Sequence, residues 1–221
     1  MISYNSGPVT VTGMVLASSS VNDYDRRVVI LTKERGKITA FAKGARRQGS
    51  RLMAATDQFC FATFKVFEGR TAYNLIEASV SNYFEQLRED FDGACLGMYF
   101  LEFADYYTRE NNDETEMLKL LYQSVRAICK PSLDNRLVRV IFEMKAMVVN
   151  GEFPGIPENN SLSNSAVYAI DFIVKTPVEK LFTFAVSDEV YAELAELSAS
   201  YMRRIIDRKF KSIDLLDTLG V

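Results

Sequence analysis

The sequence contains no histidine and only three cysteines, and these shortages exclude the catalytic and metal sites that need histidine or clustered cysteines. Histidine is the commonest general acid–base residue and the commonest metal ligand. Its absence excludes Ser-His-Asp and Cys-His catalytic sites and histidine-based zinc sites. Cys60, Cys95 and Cys129 are widely spaced among apolar residues, so we expect buried thiols rather than disulfides. Carboxylate or lysine chemistry stays open, but we expect a protein that is not an enzyme and has no cofactor.

Long apolar runs are also absent, so we expect no membrane-spanning helix and no membrane partner. Residues 1–6 lack the basic and apolar regions of a signal peptide, which predicts a cytoplasmic protein. The 221 residues are 48% hydrophobic and 25% charged, as in globular proteins, and suffice for one large domain or two ordinary ones.

The net charge of −3 conceals an uneven balance of charge along the chain. Residues 1–80 hold 11 Lys and Arg against 6 Asp and Glu, a net of +5. Residues 81–221 hold the remaining 15 Lys and Arg and 23 Asp and Glu, a net of −8. This step suggests two units with different partners, the first a polyanion such as nucleic acid. Chance is the alternative, because +5 over 80 residues is a modest excess.

The N-terminal part alternates apolar and polar residues, which is typical of strands. The predicted strands are Val9–Leu16, Arg27–Thr32, Lys37–Ala42, Gln58–Phe67 and Thr71–Ala78. Gly13 is expected at a bulge or a barrel corner. Five short antiparallel strands, with a longer excursion over residues 44–56, favour an OB-fold β-barrel, which we assign to residues 1–80.

Beyond residue 80 the apolar residues recur at three- and four-residue steps, which predicts helices. One helix is expected after Asp113–Glu116, one over Leu133–Val149 with a stop at Asn150-Gly151, and one capped by Ser187. We therefore predict an α+β protein in which residues 81–221 form a mainly α-helical domain. Its apolar stripes are expected to form the core of a helix bundle.

The most informative segment is Thr39–Arg51, where a strand runs into a glycine followed by arginines. Glycine lets the backbone approach a phosphate, and arginine offers forked donors to its oxygens. Strand aromatics (Phe41, Phe64, Phe67 and Tyr73) could stack on bases, although strand aromatics more often form the core. The candidate DNA-binding residues are Arg26, Arg27, Lys33, Arg35, Lys37, Phe41, Lys43, Gly44, Arg46, Arg47, Arg51 and Lys65. For each cation the alternative is a solvated surface charge.

The same segment, Gly36–Arg47 with Ala42-Lys43-Gly44-Ala45-Arg46, closely resembles the hallmark strand and loop of the RecO recombination mediators. The resemblance continues in the same order along the chain, through Ser50–Leu52, Gln58–Phe59, Ile76–Ala78, Tyr83–Asp90, Phe100–Asp105 and Phe142–Met147, followed by Gly151 and Pro154.

The resemblance implies a nucleoid-associated protein that binds single- and double-stranded DNA and anneals complementary strands. It also implies that the protein binds the acidic C-terminal tail of the single-stranded-DNA-binding protein and joins RecR, sometimes with RecF, to load RecA. In the family this tail docks on the helical domain, at basic side chains beside an apolar pocket. The candidates are Arg126, Arg136, Arg139 and Lys145, near Leu121, Tyr122 and Phe142. Ordinary exposed charges on amphipathic helices are the alternative.

The C-terminal third departs from the family pattern. Many members carry four zinc-binding cysteines there, whereas this chain has none after Cys129 and holds Asn159, Asn160, Ser161 and Asn164 in the corresponding loop. We therefore predict no metal, with apolar packing in place of zinc, through Tyr168, Ile170, Phe172, Leu181 and Phe182.

Two other functions stay open. One is a general single-stranded RNA- or DNA-binding OB protein without a role in recombination. The other is an adaptor that has lost nucleic-acid binding and acts through its acidic helical domain.

Overall fold

A closed five-stranded barrel forms the N-terminal part of the protein. The computed structural model describes residues 7–158 and 162–219. The strands are β1 (Val9–Val21), β2 (Asp25–Thr32), β3 (Gly36–Ala42), β4 (Phe61–Glu68) and β5 (Tyr73–Asn82). They close in the order β1-β2-β3-β5-β4, and a short helix, α1 (Leu52–Ala55), lies between β3 and β4. This arrangement confirms the predicted OB-fold barrel.

Period-two alternation fills the barrel with apolar side chains. Along β3, residues 36, 38, 40 and 42 are buried, whereas 37, 39 and 41 are partly exposed. The barrel core includes Val28, Ile30, Ile38, Phe64 and the thiol of Cys60. Burial raises the pKa of Cys60 to about 12, so this thiol is an inert part of the core, as expected.

Two features of the barrel differ from the sequence-based expectation. The pairing of β3 with β5 is parallel, at Ala40↔Tyr73 and Phe41↔Asn74, so the strands are not all antiparallel. The irregularity in β1 lies between Val15 and Ala17, not at Gly13. Gly13 is instead a point of close backbone approach, because a Cβ atom there would lie 2.1 Å from the carbonyl oxygen of Leu31.

The helices after the barrel confirm the predicted helical region. They are α2 (Phe91–Tyr107), α3 (Thr115–Ile128), α4 (Asn135–Val149), α5 (Asn164–Lys175), α6 (Asp188–Ile205) and α7 (Ile213–Leu219). Ser187 caps α6 as predicted, and Gly151 follows α4 with a positive φ of 71°. The sequence did not reveal α5, which begins at the cap residue Ser163. Within the described ranges, no helix is both long enough and apolar enough to cross a membrane.

The chain forms two compact units. One contains the barrel and Leu101–Leu118, and the other contains Gln86–Phe100 and the chain from Lys119 onward. In the first unit, the β2–β3 turn (residues 33–35) is bound to the segment that follows α2. The main-chain N–H of Lys37 donates to the carbonyl oxygen of Arg109 (3.0 Å), and that of Asn111 donates to the carbonyl oxygen of Arg35 (2.9 Å).

The close approach at Gly13 predicts a specific cost of substitution. Gly13→Ala should lower the free energy of unfolding by about 1–3 kcal/mol, because the new methyl group overlaps the carbonyl of Leu31. Gly7→Ala is the matched control, since no atom lies within 4 Å of the corresponding position. Urea unfolding measures both variants, and equal midpoints for the two would contradict the expectation.

Candidate nucleic-acid interface

The segment between β3 and α1, residues 43–51, is the basic loop, and it is attached to the β1–β2 turn (residues 22–24). Gly44 has a positive φ of 67°, and its N–H donates to the carboxylate of Asp25 at 2.8 Å. Arg46 donates to all three carbonyl oxygens of the turn, from its main-chain nitrogen at 2.9 Å and from its guanidinium at 3.1 and 3.2 Å. These bonds join two loops that are some 20 residues apart in sequence into one end of the barrel.

Arg47 lies over the ring of Tyr24, in the same turn. The guanidinium carbon is 5.2 Å from the ring centroid, which is a cation–π distance. Tyr24 is 54% exposed, and sequence reasoning missed it. The available signal was an aromatic residue in a short polar turn, where no strand periodicity assigns it to the core.

A row of outward-facing side chains crosses the sheet below this end. Cross-strand pairing places Ser19, Arg27, Phe41, Asn74 and Phe67 side by side on β1, β2, β3, β5 and β4. Arg27, Asn74 and Ser19 are exposed and Phe41 is half-buried. Phe67 is 43% exposed. The row therefore combines a cation with accessible aromatic surface.

Two of the aromatic residues considered for stacking are not accessible. Phe64 is fully buried and Tyr73 is 4% exposed, and both belong to the barrel core. The suggestion that they stack on bases is therefore wrong in this structure. Phe41 and Phe67 keep their exposed surface.

Arg26 and Lys37 form ion pairs with carboxylates and stabilise the fold. The guanidinium of Arg26 donates to the carboxylate of Asp57 at 2.7 Å and to the carbonyl oxygen of Met53 at 2.8 Å, which ties α1 to the barrel. The ammonium of Lys37 pairs with Asp105, near the C-terminal end of α2, at 3.0 Å. Neither side chain is an unpaired donor for phosphate.

The other predicted cations lie in three places. Lys43, Arg46, Arg47 and Arg51 are exposed on the basic loop, with Arg27 on the adjoining strand. Lys33 and Arg35 lie in the β2–β3 turn, at the opposite end of a hairpin about 20 Å long. Lys65 is exposed on β4, directly across from Glu77. The structure therefore gathers only the first group.

The helical unit contains a cavity of about 550 Å³, here called the arginine cavity. Its lining residues are Tyr99, Arg139, Val140, Glu143, Tyr191, Ala195, Ala199, Met202, Arg203 and Ile213. The carboxylate of Glu143 is buried and accepts hydrogen bonds from Tyr99 (2.8 Å), Ser198 (2.8 Å) and Arg139 (3.0 Å). Burial, together with the nearby Glu143, raises the pKa of Tyr99 well above its usual value, so the phenol stays a donor. Arg203 adds a second, exposed guanidinium.

Only one predicted tail-binding residue, Arg139, lines this cavity. Arg136 lies over the ring of Tyr191, which lines the cavity, at 4.9 Å from the ring centroid. Its guanidinium is paired with Asp134 at 2.7 Å, a contact that lowers the pKa of that carboxyl. Arg126 lies over the ring of Tyr122 on α3, 5.9 Å from its centroid.

The assignment of Lys145 to tail binding is wrong. Its side chain is buried, and its ammonium donates to the carbonyl oxygens of Ile173, Val174 and Thr176 at 2.8–3.1 Å. The ammonium of Lys145 therefore caps the C-terminal end of α5. Leu121 and Phe142, which were expected near it, are also fully buried.

Two family models match the chain between residues 7 and 156. Residues 7–84 match the model described as Recombination protein O N terminal, and residues 88–156 match the model described as Recombination protein O C terminal. The chain belongs to the RecO family. The DNA repair protein RecO of Acetivibrio thermocellus is 25% identical over 94% of this chain and 96% of its own length. That of Clostridium novyi is 22% identical over 93% of this chain and 92% of its own length. That of Alkaliphilus metalliredigens is 32% identical over 66% of this chain and 59% of its own length. These matches confirm the predicted family and make the chain a RecO-family DNA repair protein.

The zinc site found in many RecO proteins has no matching ligands in the described part of this chain. Residues 7–158 and 162–219 contain no group of three or more His, Cys, Asp or Glu side chains placed to hold a metal ion. Asn159, Asn160 and Ser161 lie outside the described residues. Of the apolar residues expected to pack in this region, Ile170, Leu181 and Phe182 are buried, and Phe172 packs edge-on against Phe184 at 5.0 Å. Tyr168 is 74% exposed, so its assignment to this core is wrong.

The new position of Lys145 predicts a structural role that can be measured. Lys145→Met should lower the free energy of unfolding by about 1–3 kcal/mol, because the carbonyl oxygens at the end of α5 lose their buried donor. Lys175→Met is the control, because that side chain is 71% exposed. Thermal unfolding followed by circular dichroism compares them. A Lys145 variant as stable as the control would show that the buried ammonium is dispensable.

Proposed function

We propose that this RecO-family protein is a recombination mediator that binds single- and double-stranded DNA and anneals complementary strands. The observation that carries the proposal is the basic loop, held on the β1–β2 turn by the hydrogen bonds of Arg46 and Gly44. Exposed cations fixed at one end of an OB-fold barrel form a surface that suits a phosphate backbone.

Neutralisation of phosphates is the physical step that annealing requires. Two DNA strands repel each other, and cations that displace their counterions let the strands approach. Lys43, Arg47, Arg51 and Arg27 are the exposed cations available for this purpose. Arg46 has a double role in the proposal, because it anchors the turn and adds positive charge. No acid–base residue is needed for any of these steps, which agrees with a non-enzymatic mediator.

The helical unit is proposed to bind the acidic C-terminal tail of the single-stranded-DNA-binding protein, and the arginine cavity fits that tail best. A larger cavity in this unit, about 670 Å³, has no charged lining residue. A smaller one, about 130 Å³, is lined by Asp134 and Asp188, which oppose an acidic ligand. Only the arginine cavity among these three combines apolar walls with the guanidinium groups of Arg139 and Arg203. Its one carboxylate, Glu143, is buried and bonded to Arg139, so the exposed Arg203 is the cation that faces an acidic ligand.

The wider role follows from the family. The protein is proposed to work at the nucleoid with RecR, with or without RecF, so that RecA is loaded on DNA coated by the single-strand-binding protein. A general RNA- or DNA-binding role is distinguished by comparing RNA with DNA strands in the annealing reaction.

The basic loop predicts weaker and less salt-dependent DNA binding on mutation. Replacing Lys43, Arg46 and Arg47 together by alanine should weaken binding of single-stranded DNA. It should also make the fall of log affinity with log salt concentration less steep, by about one unit of slope for each phosphate that the variant no longer neutralises. Annealing of strands coated by the single-strand-binding protein, with and without RecR, should slow in parallel.

A matched triple variant serves as the control for this prediction. Arg204, Arg208 and Lys209 replaced by alanine remove the same charge from the exposed stretch after residue 203. If the control variant flattens the salt dependence and the basic-loop variant does not, DNA binds elsewhere.

The arginine cavity predicts that charge reversal blocks the acidic tail. Arg203→Glu should weaken binding of an acidic tail peptide at least about tenfold, because a like charge would face the peptide. Arg126→Glu makes the same change on α3, away from the cavity lining, and should leave binding unchanged. Fluorescence anisotropy of a labelled peptide measures both. Loss of binding in the Arg126 variant alone would exclude the cavity.

A further inference from the structure

We propose that Tyr24, held against Arg47, is a stacking site for a single nucleobase, and that it gives the barrel a preference for single strands over duplex. The inference rests on the proposed DNA-binding function and adds a base contact to what is otherwise a set of phosphate contacts.

The exposure of Tyr24 sets it apart from the aromatics of the barrel interior. Phe64 and Tyr73 are buried in the core, whereas Tyr24 is 54% exposed although Arg47 lies over its ring. An exposed aromatic ring in a polar turn contributes nothing to the barrel core, and it offers an apolar surface of the size of a base.

Hydrogen bonds hold the turn that carries Tyr24 against the basic loop. Arg46 bonds to the three carbonyl oxygens of residues 22–24, and Asp25 accepts from the N–H of Gly44 at 2.8 Å. These are bonds to the main chain, so they fix the turn that carries Tyr24 whatever side chain stands there. A ring positioned in advance loses little conformational entropy on stacking.

Arg47 adds a second kind of contact beside the ring of Tyr24. Its guanidinium lies 5.2 Å from the ring centroid of Tyr24 and also carries donors for a phosphate oxygen. A base that stacks on Tyr24 would thus bring its own phosphate toward a cation. This pairing of aromatic and cation is the chemistry by which single strands are held without sequence preference.

Stacking of this kind selects an unpaired strand. Both faces of a base in a duplex are covered by its neighbours, whereas a base in a single strand can leave the stack and lie on the ring. One base–aromatic contact is worth about 5- to 150-fold in affinity. Tyr24→Ala should therefore weaken binding of a single-stranded oligonucleotide by a factor in this range and leave duplex binding nearly unchanged. The salt dependence should stay the same, because tyrosine neutralises no phosphate. Tyr24→Phe should bind as the wild type does.

A fluorescence experiment tests the contact directly, because the chain contains no tryptophan. In Tyr24→Trp the introduced indole is the only one, and its emission should be quenched when a single-stranded oligonucleotide binds and much less by duplex. Tyr168→Trp is the control, since Tyr168 is 74% exposed on α5 and its emission should not change.

The outcomes separate this inference from the proposed function. Single-strand binding that survives Tyr24→Ala at full strength, with no quenching in Tyr24→Trp, would overturn the stacking site and leave DNA binding intact. A wild-type chain that binds no DNA at any salt concentration would overturn both. Selective loss of single-strand affinity together with quenching at position 24 alone supports the site.

Discussion

Two residue pairs close the barrel, and the surface proposed to meet DNA depends on that closure. The parallel contacts Ala40↔Tyr73 and Phe41↔Asn74 join β3 to β5. In these pairs the side chains of Ala40 and Tyr73 face the core, whereas those of Phe41 and Asn74 lie on the outer face. They also extend the row of outward side chains from Arg27 across the sheet. Without this short parallel segment the sheet would keep two open edges, and a single strand would meet no continuous face.

The basic residues of the barrel divide between holding the fold and facing solvent. Arg26 bonds to the carbonyl oxygen of Met53 in α1 and pairs with Asp57, and Lys37 pairs with Asp105 near the end of α2. Arg46 does both, because its bonds to residues 22–24 leave the side chain exposed. A count of Lys and Arg therefore overstates the charge available to a ligand. The helical unit also contains both kinds of basic residue. The ammonium of Lys145 is buried and bonded to carbonyl oxygens, whereas Arg203 is exposed.

Much of the fold could be predicted from local patterns. Period-two alternation located all five strands, and the cap at Ser187 and the stop at Gly151 were visible in the sequence. The same alternation separates Phe64 from Phe67, because residues three apart on one strand face opposite sides of the sheet. Contacts between distant segments could not be predicted. Arg47 and Tyr24 are 23 positions apart, and the carbonyl groups that bind Lys145 lie 28 to 31 positions away. Parallel pairing of β3 with β5 leaves no periodic signal, because the same alternation suits either direction.

The position of the exposed cations has a kinetic consequence. Lys43, Arg46, Arg47 and Arg51 are collected at one end of the barrel, so positive charge is dense at that end. A charge cluster of this kind attracts a polyanion during its approach, over about 10 Å at moderate salt. Such steering raises the rate of productive encounters more than it slows departure. On the proposed function, this cluster would speed the encounter of the basic loop with an exposed strand.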